Sequence, residues 1–143
     1  NKFIDEKRRY KLAISLNASN DLVRSKIMPI NKKWNIKEII AAGKKYSNQK
    51  KRIVMFEYVL LKNINDSSED AVRLSKLVKG IDCKINIIPY NETSGEYQRP
   101  SESVIENFLK ILKANQKSFR ILVRWSKGED IDAACGQLAV KNQ

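Results

Sequence analysis

Short apolar runs alternate with amphipathic stretches along the chain. YKLAISLNA at 10–18 predicts a buried strand, and SNDLVRSKIM after it a helix, with Ser19 or Asn20 as N-cap and Pro29 as the stop. NIKEIIAAGKKYS at 35–47 predicts a second helix, with Ile36, Ile39, Ile40 and Gly43 on its inner stripe and lysines on the other face. RIVMFEYVLL at 52–61 is a continuous apolar run broken only by Glu57, as in a parallel strand covered on both faces. A turn at NINDSS leads to a helix over 68–79, with Ser67 as N-cap, Asp70 at its third position and Gly80 at its C-terminal stop. CKINIIPYN at 83–91 is the third strand. After the loop ETSGEYQRP comes an amphipathic helix over 101–116, with Val104, Phe108, Leu109, Ile111 and Leu112 on its core face. SFRILVRWS at 118–126 is the fourth strand, and a short helix is expected near 130–139.

Four strands alternating with helices imply right-handed crossovers and a parallel sheet. Residues 1–143 form one domain, with no linker or low-complexity tract. Four parallel strands read more naturally as part of a (β/α) barrel than as a whole domain. Such a part leaves strand edges open, so self-association of the isolated chain is expected.

Composition narrows the chemistry. Lys and Arg number 28 against 16 Asp and Glu, a net charge of +12. That excess fits a polyanionic partner and also fits a merely lysine-rich surface. No apolar run approaches the roughly 20 residues of a membrane span, so no membrane partner is expected. The charged N-terminal stretch has no signal-peptide pattern. With two cysteines there is no disulfide framework, and a reducing, cytoplasmic home is the default. The chain has no histidine, which removes imidazole acid–base catalysis.

In parallel α/β folds, sites gather at the C-terminal ends of strands. Here those ends carry Ser15-Leu16-Asn17, Asn63 to Asp66, Tyr90-Asn91 and Arg124-Trp125-Ser126. Glu57 lies inside an apolar strand, and a buried carboxylate there needs a partner from the protein or a ligand. Cys83 opens an apolar strand and reads as core. Cys135, in DIDAACGQLA, reads on its own either as a small buried residue or as a nucleophile.

Five segments taken in order resemble the radical S-adenosylmethionine RNA methyltransferases that modify adenine in 23S rRNA, the RlmN family with its relative Cfr. LAISLNASND is similar to the family's strand ending in Ser-Leu-His-Ala, and IMPINKKWNI to its Pro-Ile-Asn-Lys-Lys segment. FEYVLLKNIND, CKINIIPYN and DIDAACGQLA resemble its Glu-Tyr-Val strand, its Pro-Trp/Tyr-Asn strand and its C-terminal cysteine signature. The resemblance runs from about residue 10 to 139 and implies the C-terminal half of a radical-SAM-type barrel.

By that resemblance Cys135 is a methyl carrier. Its thiolate would take a methyl group from one adenosylmethionine. A second adenosylmethionine, cleaved at a four-iron, four-sulfur cluster, would yield the radical that activates this methyl for addition to adenine. Adenine carbon 2 is electrophilic, so a methyl-cation transfer fails there, and a covalent carrier divides the step. Ser15, Leu16, Asn17 and Asn91 would bind adenosylmethionine. The implied partners are 23S rRNA and also tRNA. Lys32, Lys33, Lys44, Lys45, Lys50, Lys51 and Arg52 are candidates for phosphate contact.

Two departures stand out. Asn17 replaces the family's His and can hydrogen-bond a ribose or carboxylate but not carry a proton. Lys127 stands where Arg is common and lacks its bidentate fork. The family's CxxxCxxC motif, its Gly-Glu-Pro segment, its resolving cysteine and its N-terminal RNA-binding domain are absent from this sequence. The chain alone is therefore expected to hold no cluster and to be inactive. The carbon-8 adenine methyltransferase and a catalytically silent RNA-binding module remain the alternatives.

Overall fold

The computed structural model describes residues 12–50, 52–91, 96–116 and 119–125. In order, its elements are β1 (Ala13–Ser15), α1 (Asp21–Ile27), a 3-10 turn (Pro29–Lys32), α2 (Ile36–Lys50), β2 (Val54–Leu60), α3 (Ser68–Leu77), β3 (Cys83–Pro89), α4 (Glu102–Ala114) and β4 (Phe119–Val123). The strands form one sheet in the order β1-β2-β3-β4, and every neighbouring pair is parallel. This is the expected alternating parallel architecture. The expected helix near 130–139 lies outside the described residues.

The helix starts follow from local chemistry. Asn20 rather than Ser19 caps α1, accepting from the Val23 N–H at 2.9 Å. Asn35 and Glu38 cap α2 reciprocally, each side chain accepting from the other's backbone N–H at 2.9 and 3.0 Å. Ser67 and Asp70 do the same for α3. Beyond α3, Gly80 takes φ +84°, a left-handed conformation that costs glycine little. Pro29, which has no N–H to continue α1, opens the 3-10 turn.

Strand side chains alternate between two faces. One face, with Ile14, Phe56, Ile85 and Ile121 in register, packs under α2, α3 and α4. Gly43 eases the close approach of α2 to β2, since a Cβ there would stand 3.0 Å from Phe56 Cζ and the ring would have to give. From α4 the core receives Ile105, Phe108 and Leu112 as fully buried side chains. Ile105 was missing from the expected stripe, whereas Val104, Leu109 and Ile111 lie at its half-buried margins.

The opposite face carries a second row in register, Ser15, Glu57, Asn86 and Leu122. One pleat closer to the C-terminal strand ends, a small cluster of Val59, Leu61, Ile88 and Tyr90 packs with Ile27, Ile64 and Tyr97. This second face bears the polar groups, and its C-terminal edge bears the candidate site.

Candidate functional site

The first strand ends in a tightly held bend. The N–H groups of Leu16 and Asn17 both donate to the Glu57 carbonyl, at 2.9 and 3.3 Å. Asn17 then turns into the left-handed region at φ 56°. Its Oδ1 accepts from the Val59 N–H at 2.9 Å, and its Nδ2 donates to Met28 Sδ at 3.4 Å. Both polar atoms of the side chain that was expected to reach a ribose or carboxylate thus already have partners within the chain. They are spent on the neighbouring strand and on Met28, with one amide proton left over. Leu16 is fully buried in the core. Ser15, half-buried, lies on the polar face.

Two further residues hold this bend. Arg24, only 2% exposed, donates from Nε to the Leu16 carbonyl at 2.9 Å and from one terminal nitrogen to the Ser15 carbonyl at 3.0 Å. Its other terminal nitrogen reaches Asn31 Oδ1 and the Trp34 carbonyl, both at 2.9 Å. Burial lowers the pKa of this guanidinium, while the Asp21 carboxylate acts in the opposite direction. Asn65, fully buried, donates from Nδ2 to the carbonyls of Asn17 and Val59 at 2.8 Å and accepts from the Leu61 N–H at 2.7 Å. Its own carbonyl accepts from the Tyr58 hydroxyl at 2.7 Å. Burial, the largest cause, holds the pKa of Tyr58 well above the usual phenol range, so it remains a donor. The second strand end, expected to face a ligand, thus uses Asn65 to build the site.

The remaining strand ends lie further along the sheet. Asn91 follows β3, separated from Ser15 by β2. Its Nδ2 is buried and makes no hydrogen bond among the described residues. A buried amide donor of this kind has an unmet need that a ligand acceptor can satisfy. At the fourth end, Arg99 lies 6.0 Å from the centre of the Trp125 ring. Glu57 is 4% exposed, between Ser15 and Asn86 in register. Cys135 and Lys127 lie outside the described residues. Cys83 is sealed in the core, and burial, then Asp82, pushes its thiol up to about 12. It is core packing, as expected.

Along the outer edge of β1 runs a mostly apolar cavity of about 510 Å³, bounded by residues 12–15, Met28, Ile30, Trp34 and Ile39, with Arg24 and Glu38 as its charged residues. Ile30 and Trp34 are 48% and 53% exposed beside it. Among the described residues, no helix is long and apolar enough to cross a membrane.

Four parallel strands with helices on one face and polar groups on the other make an open α/β sheet. A radical SAM methyltransferase from Sphaerobacter thermophilus superposes on it with a TM-score of 0.85 at 42% identity, over 95% of this chain and 40% of that one. A domain of pyruvate-formate lyase-activating enzyme from Bacteroides vulgatus shares the fold, with a TM-score of 0.64 at 17% identity. Among curated proteins, the chain is 47% identical over 133 residues to the dual-specificity RNA methyltransferase RlmN of Vesicomyosocius okutanii, covering 91% of this chain and 37% of that protein. It is 48% identical over 131 residues to the RlmN of Bdellovibrio bacteriovorus, covering 91% of this chain and 32% of that protein. No family model matches the chain. Over the stretch it spans, about a third of the length of these relatives, the chain is homologous to the RlmN family.

Proposed function

We propose that this chain is the C-terminal part of a radical SAM methyltransferase that methylates carbon 2 of an adenine in 23S rRNA, and of an adenine in tRNA. The observation that supports it best is the pairing of close sequence similarity to RlmN proteins with a buried Asn91 amide that has no partner among the described residues, at a strand end where a ligand is expected. The reading places the protein in the cytoplasm, with RNA as its partner.

Adenosylmethionine fits this edge of the sheet, where it would supply the methyl group. The Asn91 amide would donate to it, and Ser15 would meet it from the polar face. Leu16 and Asn17 would contribute by shaping the bend rather than through free side chains. Cys135 would receive the methyl group at its sulfur and present it to the base. A thiolate suits that task because it is the nucleophilic form of cysteine.

The iron–sulfur cluster does not fit this chain. Such a cluster needs three or more thiolate ligands. The chain has two cysteines, and no group of three or more His, Cys, Asp or Glu residues gathers among the described residues. In this reading the ligands belong to the other part of the polypeptide, and the chain alone does not turn over. The groove beside β1 is where that other part would continue the barrel.

Mass mapping of adenine after the full-length parent acts on 23S rRNA and tRNA with methyl-labelled adenosylmethionine tests the proposal. Label on carbon 2 is the expected result. Label on carbon 8 would assign the protein to the other branch, and RNA binding without label would make it a silent module.

A further inference from the structure

Arg24 carries more than its position in a short helix suggests. It is a buried cation whose guanidinium makes four hydrogen bonds, three of them to backbone carbonyls. Two of those carbonyls, Ser15 and Leu16, are consecutive at the end of β1. Consecutive carbonyls in an extended strand point to opposite sides. One guanidinium can reach both only because the backbone bends around it. That bend leads straight into the left-handed Asn17. The other pair of acceptors, Asn31 and Trp34, belongs to the 3-10 turn and the short link between it and α2, so Arg24 ties the strand end to the following turn. Asn31 is itself buried and held by Ser25 Oγ, which it reaches at 2.8 Å.

The electrostatics point the same way. The neighbouring carboxylate, Asp21, accepts from the Ile36 N–H at 3.0 Å, and none of the four acceptors of Arg24 is a carboxylate. An ion pair would have been the simpler means of stabilising a buried cation. Carbonyl acceptors instead spend the charge on backbone direction. Lys could not replace it, since a single ammonium has no planar fork to span two carbonyls on one side and two acceptors on the other.

We propose that Arg24 is a positioning residue for adenosylmethionine. It fixes the backbone of Ser15 and Leu16 so that Ser15 faces the ligand, without touching the ligand itself. This rests on the adenosylmethionine reading of the site.

The test is calorimetric binding of adenosylmethionine to the full-length parent, compared among wild type, Arg24→Lys, Asn31→Ala and Leu112→Ala. Leu112 lies in the α4 core, away from the bend, and its truncation is a control for lost stability alone. At a temperature where all four are folded, Arg24→Lys should weaken adenosylmethionine binding on the order of tenfold or more, as misplacing a binding group does. Asn31→Ala, which removes one acceptor and leaves the rest of the fork seated, should weaken it by about threefold. Leu112→Ala should lower the melting temperature yet leave the affinity unchanged. Unchanged adenosylmethionine affinity in folded Arg24→Lys and Asn31→Ala would overturn the positioning role. If Arg24→Lys does not fold, Asn31→Ala alone decides between the two results. A wild-type parent that fails to bind adenosylmethionine would overturn the functional reading and this role together.

Discussion

The Asn65 side chain donates to the Asn17 carbonyl at 2.8 Å, so the end of the second strand holds the bend at the end of the first. The same amide also satisfies the Val59 carbonyl and the Leu61 N–H. Asn65→Ala would orphan three buried backbone groups, at about 1–3 kcal/mol for each that water cannot reach. We expect a loss of about 3 kcal/mol or more in chemical denaturation. Asn65→Asp, nearly identical in shape, should be no better, because its carboxylate would face two carbonyl acceptors. A wild-type midpoint for Asn65→Asp would mean that the network contributes little.

The two cysteines should behave oppositely toward a thiol reagent. Burial keeps Cys83 protonated, pushing it from 9.0 to about 12. Its native proton is held above the pH at which an unfolded thiol loses it. The stability linked to this group is therefore whole below about pH 9 and declines as pH rises toward 12. In native protein at neutral pH, Cys83 should resist alkylation and Cys135, as a carrier, should react. Peptide mapping of the alkylated protein, with a denatured control labelling both, checks this.

RNA contact should be uneven across the basic residues. Lys32 and Lys33 are exposed in the segment whose ends Arg24 ties to the strand end. Lys44 and Lys45 are exposed further along α2, about 12 Å down the helix at roughly 1.5 Å per residue. Reversing the first pair to Glu should weaken RNA binding by the full-length parent more than reversing the second, and should lower the salt slope by about two. Equal effects would indicate a diffuse field rather than a docking face.

The isolated chain should associate with itself. The outer edge of β1 opens on an apolar groove flanked by the exposed Ile30 and Trp34. Sedimentation should show mass rising with concentration, and Ile30→Lys with Trp34→Lys should reduce it. A constant monomer mass at high concentration would contradict the expectation.

Much of the fold was legible because its signals are local. Periodicity placed all four described strands, and Ser67 was legible as the N-cap of α3, though its reciprocal bond with Asp70 was not foreseen. β1 is the clearest shortfall, reading as nine residues and forming three. Strand length depends on neighbours, and among the described residues β1 pairs only with β2. Ile105 was missed because the stripe on α4 is turned slightly from the one expected. At the site, the order of motifs pointed to Ser15 and Asn91, Asn65 was expected only as part of a strand end facing a ligand, and Arg24 escaped notice. A charged residue on a short amphipathic helix and an asparagine in a turn look like solvent-facing residues in one dimension. Only the path of the backbone shows that both are buried and spent on the same bend.

The central claim is that Cys135 carries the methyl group. Its most direct test is mass spectrometry of the full-length parent after incubation with methyl-labelled adenosylmethionine and RNA, beside a Cys135→Ala variant. The account predicts a labelled methyl on the Cys135 peptide of the wild type. In Cys135→Ala it predicts no methylated adenine, with RNA affinity preserved. Methylated adenine from Cys135→Ala would contradict it.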